Sequence, residues 1–279
     1  KMKNCLFILL IINNLIFSQD SIRYEKMLET IDVEIKDTLK TYDENFNLNN
    51  NVYTINKKFT FKYFYEDKEG KKYLMKKGKQ IEQPGGYYTN DWDFTDINDL
   101  SNNVVKEILL TIIPGNPFEG RIKDYNQTGL SYKYITNNNS VYSSEKTGIV
   151  ENQKNTWMHP PRNDLFQILE LNPFPFIKTP LEIGNKWNWS LDIGDIWGDE
   201  RWLKWKGLIT NKYSYEITDI KEIQTFLGKI NCYIIESKAI SRIGETKLIS
   251  YYNKEFGFVK MEYVNIDGSK LILELEKVE

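Results

Sequence analysis

The stretch Phe256-Gly257-Phe258-Val259-Lys260-Met261-Glu262-Tyr263-Val264, followed by Asn265-Ile266-Asp267-Gly268 and Leu271-Ile272-Leu273-Glu274-Leu275, reads as two strands and a turn. Asp-Gly between apolar runs is a strong hairpin signal, because glycine takes the positive φ of a tight turn without steric cost. Leu271, Leu273 and Leu275 share one face of an extended chain, with Glu274 and Glu276 on the other. Working back, Leu248 to Tyr252 follows Gly244, and Ile230 to Glu236 follows Gly228. The second of these is apolar on both faces, Ile230, Cys232 and Ile234 against Tyr233 and Ile235, so it belongs in a central position with both sides covered. Tyr213, Tyr215 and Ile217 alternate with polar residues, and from Lys186 onward the pattern is almost pure strand and turn. The expected fold is mainly β: a curved antiparallel sheet or half-barrel with a few helices packed on its concave side.

The N-terminal half is more mixed. Tyr53, Ile55, Phe59, Phe61, Tyr63 and Tyr65 make Val52 to Tyr65 a strand, and Glu69-Gly70 turns it into Lys72 to Met75. Gly129 to Val150 supplies two strands around Asn137-Asn138-Asn139. Two segments have helical spacing: Ile22 to Leu39, and Leu100 to Ile113 on Val104, Val105, Ile108, Leu109 and Ile112. A short helix is expected at Asp164 to Leu171. Asp91, Asp93, Asp96 and Asp99 offer carboxylates of the kind calcium prefers, without the central Gly and closing Glu of a helix–loop–helix calcium site.

Lys1 and Lys3 precede a short apolar run, Leu6 to Phe17, that ends near Ser18-Gln19-Asp20. This has the shape of a secretory signal peptide, residues 1–18, and is short for a membrane span. Its removal takes away two lysines and moves the net charge from -2 to -4. Residues 19–279 then form a single β-rich domain, exported to the periplasm or cell envelope of a Gram-negative bacterium. Cys5 leaves with the leader, so the mature chain holds Cys232 alone, expected as a small buried hydrophobe. The charge balance gives no broad basic face for nucleic acid.

Every tryptophan except Trp92, the only histidine and most of the prolines lie between Asn155 and Trp205. His159 is followed by Pro160-Pro161-Arg162. With one His and one Cys in the mature chain, a zinc site lacks ligands, and neither a metal nor a cofactor is expected. No Gly-x-Ser-x-Gly elbow is present and no catalytic residue stands out. Trp187, Trp189, Leu191 and Ile193 share parity and form one apolar strand face; Trp202 and Trp205 differ in parity. Flat rings also stack on sugars, and Asp192, Asp195, Asp199 and Glu200 lie among them, so a carbohydrate-binding or glycoside-hydrolysing protein is the alternative reading.

The C-terminal third, with Thr246-Lys247-Leu248, Tyr251-Tyr252-Asn253-Lys254-Glu255-Phe256-Gly257-Phe258-Val259-Lys260 and Leu273-Glu274-Leu275, resembles the closing strands of uncharacterised exported bacterial proteins. Those are similar to the lipoprotein-carrier superfamily, whose fold is a half-barrel wrapped around helices. The resemblance implies a concave apolar face that holds an acyl chain or apolar peptide segment, and it carries over no catalytic residue. The function expected is a non-enzymatic binding or carrier protein, peripheral to a membrane at most, whose partner is an apolar small molecule or a lipidated protein. Trp157, Phe174, Phe176, Trp187 and Trp189 would line or plug its cavity, with His159 and Arg162 meeting a polar head at the mouth. A structural role in an envelope complex is the third reading.

Overall fold

Alternating apolar residues dictate strands along most of the described residues. The computed structural model describes residues 23–27, 30–35, 50–82, 88–115 and 127–279; the expected leader and Cys5 lie outside them. In the first half the strands are β1 (Arg23–Met27), β2 (Ile31–Ile35), β3 (Lys58–Glu66), β4 (Lys72–Glu82) and β5 (Tyr88–Asp96). They continue as β6 (Val105–Ile113), β7 (Thr128–Thr136), β8 (Val141–Glu151), β9 (Asn155–Met158) and β10 (Phe176–Lys178). The second half holds β11 (Lys186–Ile193), β12 (Ile209–Thr225), β13 (Gly228–Ser241), β14 (Gly244–Asn253), β15 (Gly257–Val264) and β16 (Lys270–Val278).

β1 and β2 form a separate two-stranded ribbon, and the other strands form one antiparallel sheet. Its order is β10-β9-β8-β7-β6-β3-β16-β15-β14-β13-β12-β11, with β4 and β5 branching from β3. Two meanders, β6 to β10 and β11 to β16, are therefore joined through β3 and β16, and the sheet curls into a nearly closed barrel. The two edge strands, β10 and β11, meet through side chains. Phe176 lies 5.6 Å from the Trp187 ring and 5.4 Å from the Tyr215 ring, and Trp157 lies 5.9 Å from Trp189. Asn185 Nδ2 ties the connection down by donating to the Lys178 and Pro180 carbonyls.

Where the structure describes them, the two segments expected as long helices form strands instead. Leu100 to Ile113 contains β6, where a register shift between Val105 and Glu107 moves the inward set from Val105 to Ile108, Leu110 and Ile112. That bulge imitates a helical period. Within Ile22 to Leu39 the described residues form β1 and β2, whose buried Ile31 and Val33 alternate as strand residues do. The Asp91–Asp96 region lies in β5. The Asp164–Leu171 segment is helical, as a 3-10 helix, and a second short one spans Asp195–Trp197.

The 3-10 helix stands inside the barrel. Leu165, Phe166, Ile168 and Leu169 are buried, with Phe166 stacked on Tyr134 and edge-on to Tyr63. Side chains of the wall satisfy the backbone that leaves it: Asn211 Nδ2 and Thr246 Oγ1 both donate to the Leu171 carbonyl. Asn172 Nδ2 donates to the Lys247 and Val264 carbonyls, and Tyr132 OH to that of His159. Cys232 is buried on β13, where burial pushes its thiol up to about 11. Beside it Ile234 and Ile235 are both buried although they point to opposite faces, as the two-sided apolar pattern of that strand requires.

Candidate functional site

All seven residues singled out from the sequence come to one region, where the barrel interior meets the β10–β11 seam. Trp157 is on β9, Phe176 on β10, and Trp187 and Trp189 on β11; His159, Arg162 and Phe174 flank the inner 3-10 helix. Trp189 stacks on Tyr213 at 4.7 Å and Trp187 on Tyr215 at 5.4 Å. Phe174 packs 4.7 Å from the His159 ring and 5.7 Å from Trp189. Trp189 Nε1 donates to the Tyr215 hydroxyl, which donates to the Phe174 carbonyl. The five aromatics are buried, so they fill the interior rather than surround an open space. Such pairs contribute about 0.5–1.5 kcal/mol each beyond the area they bury.

His159 and Arg162 sit at the edge of this cluster against two carboxylates that sequence reading did not single out. Glu170 Oε1 lies 3.4 Å from His159 Nε2 and 3.9 Å from Arg162 Nη1. Glu145 Oε2 lies 3.9 Å from Arg162 Nε; its Oε1 accepts the Arg162 backbone N–H at 2.8 Å and the Tyr134 hydroxyl. Burial holds the Glu170 carboxyl up at about 8 despite Arg162, and Glu145 nearby adds to the rise. Burial, with Arg162, pushes the His159 imidazole down to about 3. Arg162 is thus engaged by the chain's own carboxylates, with the Trp197 ring 5.3 Å from its guanidinium carbon. The one sequence signal for Glu170 is a lone charge in Leu165-Phe166-Gln167-Ile168-Leu169-Glu170-Leu171.

The carboxylates among the later tryptophans are spent on local structure. Asp195 Oδ2 accepts the Gly207 N–H, Asp199 Oδ1 that of Arg201, and Asp192 Oδ1 the Thr210 hydroxyl. Glu200 pairs with Lys204 at 2.6 Å. Trp202 and Trp205 lie outside the named strands, half-buried over Ile193 and Ile209.

A second feature lies outside the barrel, where the outward residues of seven strands line up across the ladders. One row runs Phe64, Ile272, Glu262, Ile249, Glu236, Glu216, Lys186, each directly opposite the next. The adjacent row runs Glu66, Lys270, Val264, Lys247, Lys238, Ser214, Asn188. Between them the sheet forms a groove transverse to its strands. The part near β3 and β16 has a volume of about 420 Å³ and a floor of Phe64, Ile249, Val264 and Ile272. The part near β11 and β12 has a volume of about 460 Å³ and carries Lys186, Lys238 and Lys247 with Glu216 and Glu236. The two parts share Glu236, Ser237 and Lys247. Lys238 and Lys247 share the single Glu245 carboxylate, at 2.5 and 3.5 Å, which lowers the Glu245 pKa.

No family model matches the chain, and no curated protein matches it. Among solved structures it is similar to a protein provisionally described as a lipoprotein from Parabacteroides distasonis ATCC 8503. That likeness has 10% identity and a TM-score of 0.43, covering 82% of this chain and 97% of that one. It is also similar to an exported protein of Bacteroides fragilis NCTC 9343, likewise provisionally described, with a YmcC-like fold. There the identity is 10% and the TM-score 0.38, over 82% of this chain and 97% of that one. The hypothetical lipoprotein YmcC from Escherichia coli is similar at 8% identity and a TM-score of 0.34, over 80% and 84% of the two chains. At these scores the likenesses do not bear on function.

Proposed function

We propose that this chain is an exported, non-catalytic binding protein of the bacterial envelope that holds an amphiphilic ligand, an acyl chain with an anionic head, in the transverse outer groove. The leader-like N-terminus supports export. The observation that carries the binding reading is the polarity gradient along the groove: apolar at Phe64 and Ile272, and charged towards β11 and β12, where the two lysines Lys238 and Lys247 share one carboxylate. Each part falls within the usual range of ligand sites, about 300–1,000 Å³. The interior is less suited to this role, because its aromatics already pack on each other and on the inner helix.

The test is native mass spectrometry with lipid extraction on protein purified gently from its own envelope, beside Ile249→Glu and Lys247→Glu. An acyl adduct is expected on the wild type. It should fall at least several-fold with Ile249→Glu, which places a charge on the apolar floor, and fall partially with Lys247→Glu. Thermal stability should hold with Lys247→Glu, whose side chain faces outward, and drop modestly with Ile249→Glu, which stands between Glu236 and Glu262 across the ladders. A wild type free of any acyl adduct, or an adduct indifferent to both variants, would remove the groove from consideration.

A further inference from the structure

The His159–Glu170 contact has a geometry that the groove does not use. His159 Nδ1 lies 2.8 Å from the Pro160 carbonyl oxygen, which can only accept, so Nδ1 carries hydrogen. In a neutral ring Nε2 is then a lone pair, and it faces Glu170 Oε1 at 3.4 Å. Two acceptors pointed at one another in an apolar interior repel unless a proton lies between them. Glu170 Oε1 has no hydrogen-bond donor besides what this contact can supply, and the Glu170 side chain is only 5% exposed.

We propose that a single proton shared by His159 Nε2 and Glu170 Oε1 latches segment 159–175 inside the barrel. The two residues stand at either end of the inner 3-10 helix, so the proton closes the segment on itself while Asn172, Asn211 and Thr246 hold its exit to the wall. The charged and titratable groups that face the pair are few. Arg162 comes from the same segment, Glu145 from β8, and Tyr213 from β12; Tyr134 of β7 donates to Glu145. Arg162 offers one positive charge to two carboxylates. With the proton in place it balances Glu145 alone. When the proton leaves to solvent, a second buried carboxylate appears without a cation of its own, facing a lone pair. The segment is then expected to loosen, baring the inward faces of Trp157, Trp189 and Tyr213. This reading is independent of the outer groove.

His159 is the only histidine, so its imidazole nitrogens give unambiguous NMR signals in the full-length protein. The expected state is a neutral Nδ1–H ring already at pH 5, with no ordinary titration near 6.5. A ring protonated on Nε2 alone, or an imidazolium formed near pH 6.5, would overturn the proposal. The second measurement is hydrogen exchange of segment 159–175 relative to β15 and β16 between pH 6 and 10. Relative protection should fall in the wild type, by up to about tenfold per pH unit across the transition for one proton. It should stay level in Glu170→Gln, whose amide donates to Nε2 at every pH. An equal fall in both proteins, or none in the wild type, sinks the latch; if the variant does not fold, the NMR titration decides alone.

Discussion

At the scale of single residues, the buried pair dictates a distinctive dependence of stability on pH. Folded, His159 and Glu170 together hold one proton between about pH 3 and about pH 8. Unfolded, with ordinary values of 6.5 and 4.5, they hold two protons below pH 4.5 and none above pH 6.5. Stability rises with pH wherever the unfolded chain binds more protons. The pair's contribution therefore climbs from pH 3 to 4.5, is level to 6.5, then falls until about pH 8, with slopes of about 1.4 kcal/mol per pH unit. Buried Glu145, Glu151 and Asp164, whose carboxyls are also raised, add a decline of their own. Subtracting the urea-unfolding profile of Glu170→Gln from that of the wild type isolates the Glu170 part, which falls between pH 4.5 and about 8. A difference that is flat between pH 6.5 and 8 would contradict it. Single residues were also where the sequence was least informative. It pointed to His159 and Arg162 but not to their carboxylate partners, because Glu145 reaches them from another strand and charges in sequence carry no sign of burial.

At the scale of elements, alternation was legible along bulge-free runs, as in β3, β7, β14 and Tyr213 to Ile217 of β12, and in β15 and β16, whose bulges lie near a strand end; it misled where a bulge falls inside the apolar pattern. β6 shows why: one register shift turns a two-residue period into 105, 108, 110, 112, which a helix also satisfies. The glycine turns were readable because their conformation is chemically restricted. Gly257, by contrast, read as part of a strand from Phe256; at φ 74° it opens β15, and a Cβ there would stand 2.2 Å from the Tyr53 hydroxyl. That hydroxyl accepts the Phe258 N–H at 2.9 Å, while the Tyr53 and Val52 N–H groups are held by buried Glu151. Gly257→Ala must therefore bear a left-handed backbone and displace Tyr53. A loss of more than about 1 kcal/mol is expected, the cost of a non-glycine residue in a strained region. Urea titration against wild type measures it; an unchanged midpoint would mean that Tyr53 gives way freely.

At the scale of the whole molecule, the curved antiparallel sheet was legible, but neither the groove nor the inner helix's surroundings were. Phe64, Ile249 and Ile272 become neighbours only through three successive ladders, a relation that no local pattern records. The same architecture divides the barrel unequally. β3 and β16 are joined by a ladder from Val278↔Phe59 to Lys270↔Glu66, while β10 and β11 are held by rings. Amides of β9 to β11 are accordingly expected to exchange with solvent faster than those of β14 to β16, since the former lie beside an unladdered seam. Exchange mapped by mass spectrometry would show it, and uniform protection around the barrel would refute it.

That seam has a mechanical meaning. A barrel closed by hydrogen bonds all round can widen only by tearing a ladder, and every registered pair resists together. This one is a split ring. Hoop strain from anything that swells the interior concentrates along a single line, where aromatic faces can slide apart and re-seat without any change of register. Among the described residues the chain crosses that line once, through the short loop between Lys178 and Lys186. The barrel can therefore breathe at one place and remain folded everywhere else.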